Sequence, residues 1–232
     1  MTRGYSTAPG LNLWTFLRKP TIEIKNPNRK ALALDRYHCF AELTQYETFG
    51  EDYCVDMKKG SSGIAVMAPH GGGIEFGTNQ MARAIAHPDH TFWTFKGIKK
   101  TGNRILHITS TRFDAPDALK IARAAQTVIT LHGCRGDRPL VYVGGRHDPL
   151  KDRLCRDLLK AGFNARLSKK EGLSGENPLN LCNRCRSGSG VQLEITTALR
   201  KRLFTPTKDR SIKENKKEFL RFTNTVRTAL TP

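Results

Sequence analysis

The sequence predicts an α/β fold, a single domain with a mixed, open central sheet flanked by helices. Three observations carry this. Short runs of apolar and β-branched residues alternate with stretches of helical spacing. Residues Ile64 to Ala68 (IAVMA) are continuously apolar, as a strand buried on both faces must be. The 232 residues, 38% of them hydrophobic, suit one large domain.

The elements follow in order. The strand over 64–68 runs into a predicted loop, Pro69-His70-Gly71-Gly72-Gly73, and Thr78 reads as the N-cap of a helix through Ala86. His90–Phe95 and Ile105–Thr109 are rich in aromatic and β-branched residues and read as strands. Pro116 suits the first turn of a helix over Pro116–Ala125. Val128–His132 and Leu140–Val143 are the next strands. Asp148-Pro149 opens a helix with Leu150, Leu154 and Leu158 on one face, and Gly162 stops it. Val191–Ile195 is a late strand, followed by a helix near Thr197–Phe204. Ser211 and Glu214 have capping-box spacing. Phe219, Phe222, Val226 and Leu230 then mark the buried face of a last helix. Residues 169–190 are rich in Gly, Ser and Asn and form a long loop, a kind of segment that often carries function.

Composition narrows the function classes. Thirty-nine Lys and Arg against 21 Asp and Glu give a formal charge of +18. Such a field attracts polyanions, whether an anionic polymer, nucleic acid or an acidic surface. No apolar run reaches the roughly 18 residues of a membrane span. Six irregularly spaced cysteines suggest reduced thiols and a cytoplasmic protein. Residues 1–34 read as a basic, loosely ordered arm interrupted by Pro9, Pro20 and Pro27, and organellar targeting by this arm stays open.

Chemistry concentrates at strand ends. His70 and Glu75 flank three glycines that let the backbone turn tightly, and both are good zinc ligands. A phosphate cradle and a plain glycine-rich turn are the alternatives, although the P-loop spacing is missing. His132 ends a neighbouring apolar strand and is the natural third ligand. Two His, one Glu and an open position for water make the catalytic-zinc pattern. Glu194 shares a strand face with Gln192, so it is either a surface acid or the carboxylate that activates that water. His107 could replace His132 as a ligand or face substrate. In the long loop, Asn180, Asn183 and Arg184 could bind a substrate carboxylate, with Arg suited by its planar fork. Cys182 and Cys185 have the spacing of half a structural zinc site but no second half.

These motifs together resemble the phage-type poly-γ-glutamate hydrolase family, whose bacterial members have also been labelled phage-related replication proteins. The matching stretches are APHGGGIEFGTNQMARAIA (68–86), LHITSTRFDAP (106–116), LHGCRG (131–136), VYVGG (141–145), NLCNR (180–184) and VQLEITTALR (191–200). DRYHCFAEL (35–43) and EDYCV (51–55) add to them, so the resemblance spans about residues 35–230. It departs at Cys185-Arg186, in place of a glycine-containing turn, and at Ala115, in place of an acid. The resemblance implies a fold similar to zinc carboxypeptidases and N-acyl-glutamate amidohydrolases, and zinc-dependent cleavage of γ-glutamyl amide bonds. It implies that His70, Glu75 and His132 hold Zn2+ and that Glu194 is the general base. Arg184, Asn183 and Arg112 are then expected to meet substrate carboxylates. A basic, non-catalytic nucleic-acid-binding protein, supported by Lys213, Lys216, Lys217, Arg221 and Arg227, and an amidohydrolase of a small N-acyl-glutamate are the competing readings.

Overall fold

A computed structural model describes residues 35–170, 172–206 and 212–231. The arm expected over 1–34, and Ser211 of the expected capping box, lie outside these residues. The sheet strands are β1 (Tyr53–Lys58), β2 (Ile64–Gly72), β3 (Thr91–Gly97), β4 (Thr127–Cys134), β5 (Val141–Gly145), β6 (Ala165–Leu167) and β7 (Val191–Thr196). Their order is β1-β3-β2-β4-β7-β5-β6. The pairs β2–β3, β2–β4, β4–β7 and β5–β6 are parallel, while β1–β3 and β5–β7 are antiparallel. The mixed, open sheet expected from the sequence is therefore present. A short hairpin, β8 (Phe204–Pro206) and β9 (Ile212–Glu214), stands apart from it.

Helices α1 (Phe40–Tyr46), α2 (Thr78–Ala86), α3 (Pro116–Ala124), α4 (Asp148–Lys160), α5 (Thr197–Leu203) and α6 (Lys216–Leu230) cover the sheet. Alternation along each strand splits the core into two layers. Val66, Ala68, Ile129, Leu131, Val191, Leu193 and Ile195 pack with residues of α2, α4, α5 and α6. Ala65, Met67, Val128, Trp93 and Phe95 pack with Leu43, Phe113, Ala118 and Leu181 on the opposite face. The last helix buries Phe219, Phe222, Val226 and Leu230, as its spacing requires, with Phe222 edge-on to Phe163.

Several local expectations are corrected. Residues 105–109 form no strand. Asn103–Leu106 is a 3-10 turn, and the following segment leaves the sheet to wrap the side chains at its edge. The predicted 69–73 loop is largely strand, since β2 continues to Gly72. Thr78 is the first helical residue and not the cap. Gly77 caps in the left-handed region, and the Thr78 hydroxyl donates to the Glu75 carbonyl at 2.8 Å. Glu214 lies in β9, so it takes no part in a capping box, and Asn215 precedes α6. Phe204 begins β8 and so ends α5 one residue early. The long loop contains a 3-10 turn at Leu181–Arg184. Helix α1 and strands β1 and β6 are additions to the predicted set.

Replacing Phe222, a fully buried residue of α6 that packs on Phe163, by Ala removes an aromatic ring from the larger core layer. We expect a loss of about 3–5 kcal/mol in unfolding free energy, read from urea denaturation. A loss under about 1 kcal/mol would contradict the assigned packing.

Candidate active site

The side chains singled out above meet where β2 and β4 part. Their parallel pairing ends at Met67 and Thr130, while β4 continues alongside β7 to Cys134. This is the crevice beyond the carboxyl ends of parallel strands where open sheets place ligands. His132 and Glu194 are register partners on β4 and β7, on the face opposite Leu131 and Leu193.

His70 reaches the same face by an irregularity. Strict alternation from Ala65 and Met67 would send residue 70 to the other layer. Between Ala68 and Gly71 the register with β3 slips, three steps on β2 matching two on β3 (Thr94 to Lys96). The extra residue turns the His70 side chain around, as bulges do beside active sites. Pro69, with no N–H to donate, falls inside it. Gly72 follows at φ 64°, its Cα so near the Gly97 carbonyl that a Cβ would stand 2.3 Å from that oxygen.

The imidazoles and the Glu75 carboxylate form a buried cluster. The His70 Nδ1 lies 3.4 Å from Glu75 Oε2 and 3.1 Å from His132 Nδ1. His132 Nδ1 is 3.9 Å from the same carboxylate oxygen. His107 Nε2 lies 3.8 Å from Glu75 Oε1, and its ring stacks 4.1 Å from that of His70. One ligand atom from each of His70, Glu75 and His107 also falls within 4.8 Å of the others. In the set with His132, all three spacings are 3.9 Å or less. Ligand atoms about 2.0–2.1 Å from a tetrahedral zinc stand about 3.3 Å apart, and the three spacings around Nδ1, Nδ1 and Oε2 bracket that value.

Each ring is fixed through its other nitrogen, the arrangement metal-site histidines use. His70 Nε2 donates to the Ile108 carbonyl at 2.8 Å, leaving the Nδ1 lone pair for the cluster. His132 Nε2 is 3.3 Å from the Ser110 hydroxyl. His107 Nδ1 contacts Asp35 Oδ1 at 2.7 Å. Glu75 Oε2 accepts from the Gly133 N–H at 2.7 Å. Residues 107–112 therefore supply an imidazole and fasten two others. This explains why the apolar pattern over 105–109 builds no strand.

Burial lowers the basicity of His132, with the neighbouring His70 adding to it, to a pKa of about 3. His107 is lowered by the same two causes. His70 goes the other way because the Glu75 carboxylate outweighs its burial. Glu75 is held low by His70 and then by His132 and His107, against its burial. Burial, and then the Glu75 charge, push the Glu194 carboxyl well above the ordinary carboxylate value, with Arg200 pulling the other way.

The expected substrate contacts divide. Asn183 is engaged within the loop, its amide donating to the Gly175 and Asn177 carbonyls and its oxygen accepting from the Gly190 N–H. Asn180 donates to Gln192 Oε1 at 2.8 Å and accepts from the Cys182 N–H. Gln192 in turn donates to Glu194 Oε1 at 3.0 Å. Thus the two asparagines fasten the loop, and Asn180 supports Glu194 through Gln192. Sequence reading placed Gln192 and Glu194 on one face but missed this chain. Arg184 donates to the Leu179 and Thr111 carbonyls, and Arg112 to Asp35 Oδ2, so both guanidinia lie along the segment that wraps the cluster. The Cys182 and Cys185 thiols are buried and free, and burial raises the Cys182 pKa. On the basic last helix, Arg227 donates to the Ala84 and His87 carbonyls, and Arg221 pairs with Glu218.

Fold and cluster define a class: an open α/β sheet carrying a buried imidazole–carboxylate centre at the ends of its parallel strands. The chain belongs to the poly-γ-glutamate hydrolase family, whose model matches residues 37–225. UPF0714 protein YndL of Bacillus subtilis (strain 168) is 37% identical over 203 residues, 86% of this chain and 79% of YndL. A bacteriophage poly-γ-glutamate hydrolase structure superposes with a TM-score of 0.79 at 30% identity, over 84% of this chain and 96% of that one. The zinc-free apo form of YndL gives 0.79 at 37% identity, over 85% and 98%. N-formylglutamate amidohydrolase from Ralstonia eutropha JMP134 shares the fold, at 12% identity and a TM-score of 0.50 over 76% of this chain and 96% of that one. Among the described residues no helix is long and apolar enough to cross a membrane.

The Asp35 carboxyl feels burial most, which raises its pKa. The hydrogen bonds from His107 and from the Thr109 hydroxyl and N–H outweigh that and hold it well below the ordinary 3.8. The stability it contributes is fully present above that ordinary value and is lost as pH falls below it. Asp35→Asn is expected to reduce the urea midpoint at pH 7 and to flatten its decline between pH 4 and pH 3. Parallel midpoint-against-pH curves for the two proteins would refute the pairing.

Proposed function

We propose that this chain is a zinc-dependent hydrolase of the γ-glutamyl amide bonds of poly-γ-glutamate. The observation that carries the reading is the convergence of His70 Nδ1, His132 Nδ1 and Glu75 Oε2 at the spacing of tetrahedral zinc ligands, with Glu194 on the next strand. Family membership and the zinc-free description of the YndL structure support it. His70, Glu75 and His132 would hold the ion. An ion held there would supply Lewis-acid polarisation of a carbonyl and would acidify a water.

The chain's own residues do the rest. Glu194 takes the proton of the attacking water and delivers it to the departing amine nitrogen. A raised carboxyl pKa suits a group that must both accept and return that proton. Gln192 holds one Glu194 oxygen and leaves the other for the water. The His107 side chain is 26% exposed, against 1%, 4% and 8% for His70, His132 and Glu75, so it faces arriving substrate. Arg112 and Arg184 offer guanidinia to the free carboxylates that each glutamyl unit carries. The formal charge of +18 draws the polyanion toward the surface.

The deciding experiment incubates purified protein with high-molecular-weight poly-γ-glutamate, before and after chelation and after zinc is returned, and follows chain length on a gel. Shortening that chelation stops and zinc restores is the expected result. Intact polymer in the presence of protein holding one equivalent of zinc would refute the substrate, and absence of zinc uptake would refute the centre. Glu194→Gln is expected to retain zinc and lose about 10²–10⁴-fold in rate. Full activity in that variant would remove Glu194 from the reaction.

A further inference from the structure

Arg200 is a buried cation that the reaction above leaves unused. It lies in α5, 5% exposed, with its guanidinium 4.4 Å over the Phe76 ring. Nε donates to the Ile195 carbonyl at 3.2 Å and Nη1 to the Phe76 carbonyl at 3.1 Å. Nη2 reaches the Cys134 carbonyl and the Thr197 hydroxyl, each at 3.4 Å. These carbonyls belong to the residue after Glu194, the residue after Glu75 and the second residue after His132. One side chain therefore ties together the three segments that carry those groups.

Gly133 makes room for it. A Cβ at Gly133 would stand 2.6 Å from the Arg200 Cζ, and the Gly133 N–H is the donor that orients Glu75. The charged groups felt by the guanidinium include both site carboxylates, Glu75 and Glu194. The Glu75 and Glu194 charges oppose each other, and a fixed cation whose charge acts on both offsets that repulsion. A lysine could keep the charge but not the planar fork that reaches several acceptors at once.

We propose that Arg200 is a positioning residue, holding Glu75, His132 and Glu194 in the relative placement that the metal centre needs before metal arrives. This rests on the metal reading given above. Preorganisation of this kind commonly contributes 10–100-fold to metal affinity or activity.

The test compares wild type with Arg200→Gln, Arg200→Lys and the exposed control Lys201→Gln, on the same helix. Zinc affinity is measured by competition with a chromophoric chelator. The visible spectrum of the cobalt-loaded protein reports ligand geometry, and melting of the metal-free protein reports folding. Arg200→Gln is expected to bind zinc about 10–100-fold more weakly, with an altered cobalt spectrum. Arg200→Lys should recover part of the affinity, and Lys201→Gln should match wild type. If folded Arg200→Gln binds like wild type with an unchanged spectrum, the positioning role is wrong and the metal centre stands. Should Arg200→Gln fail to fold, wild-type affinity and spectrum in Arg200→Lys would overturn the role in the same way. If wild type itself takes up no zinc, the centre and the inference fall together.

Discussion

One additional residue in β2 decides the chemistry of this molecule. Without the slip between Ala68 and Gly71, His70 would point into the aliphatic layer shared with Val66 and Ala68. With it, His70 faces His132 across the gap where β2 and β4 separate. The surrounding sequence makes the slip tolerable. Pro69 needs no ladder partner for its nitrogen, and Gly72 fits against the Gly97 carbonyl where a side chain could not.

A cluster so buried is electrostatically expensive unless its charges face one another. Glu75 is surrounded by three imidazoles and a backbone N–H. Glu194 has Gln192 and the nearby Arg200 charge. The protein thus commits several polar groups to holding two carboxylates where water cannot solvate them. That expenditure is characteristic of a functional centre more than of a structural one, because apolar residues would fill the same space more stably.

Two segments outside the sheet provide the frame, one read from the sequence partly as a strand and the other as a long loop. Residues 107–112 anchor His70 and His132 and present His107. The long loop is fixed from within by Asn183, attached to that segment by the Leu181 N–H on the Ser110 carbonyl, and linked through Asn180 and Gln192 to Glu194. Its rigidity therefore bears on the site even where its side chains do not touch substrate. On the last helix, Arg227 donates to the His87 carbonyl and the exposed Arg221 pairs with Glu218 of the same helix.

The α/β class, the central strands and the amphipathic helices were legible in the sequence because they rest on periodicity, a local property. The candidate site residues were legible for a similar reason: His70 and His132 each precede a glycine near the end of an apolar run, and Glu75 follows the glycines closely. The apolar pattern over 105–109 misled, because burial against the histidine cluster selects the same residues as burial in a sheet. The internal bonding of the Asx-rich loop was not legible either, since polarity alone does not reveal which backbone groups an amide engages. Which way His70 points, the chain from Asn180 to Glu194, and the contacts of Arg200 to three separate segments were decided by tertiary structure alone. Each depends on register and on contacts between residues far apart in the chain, for which no local pattern exists.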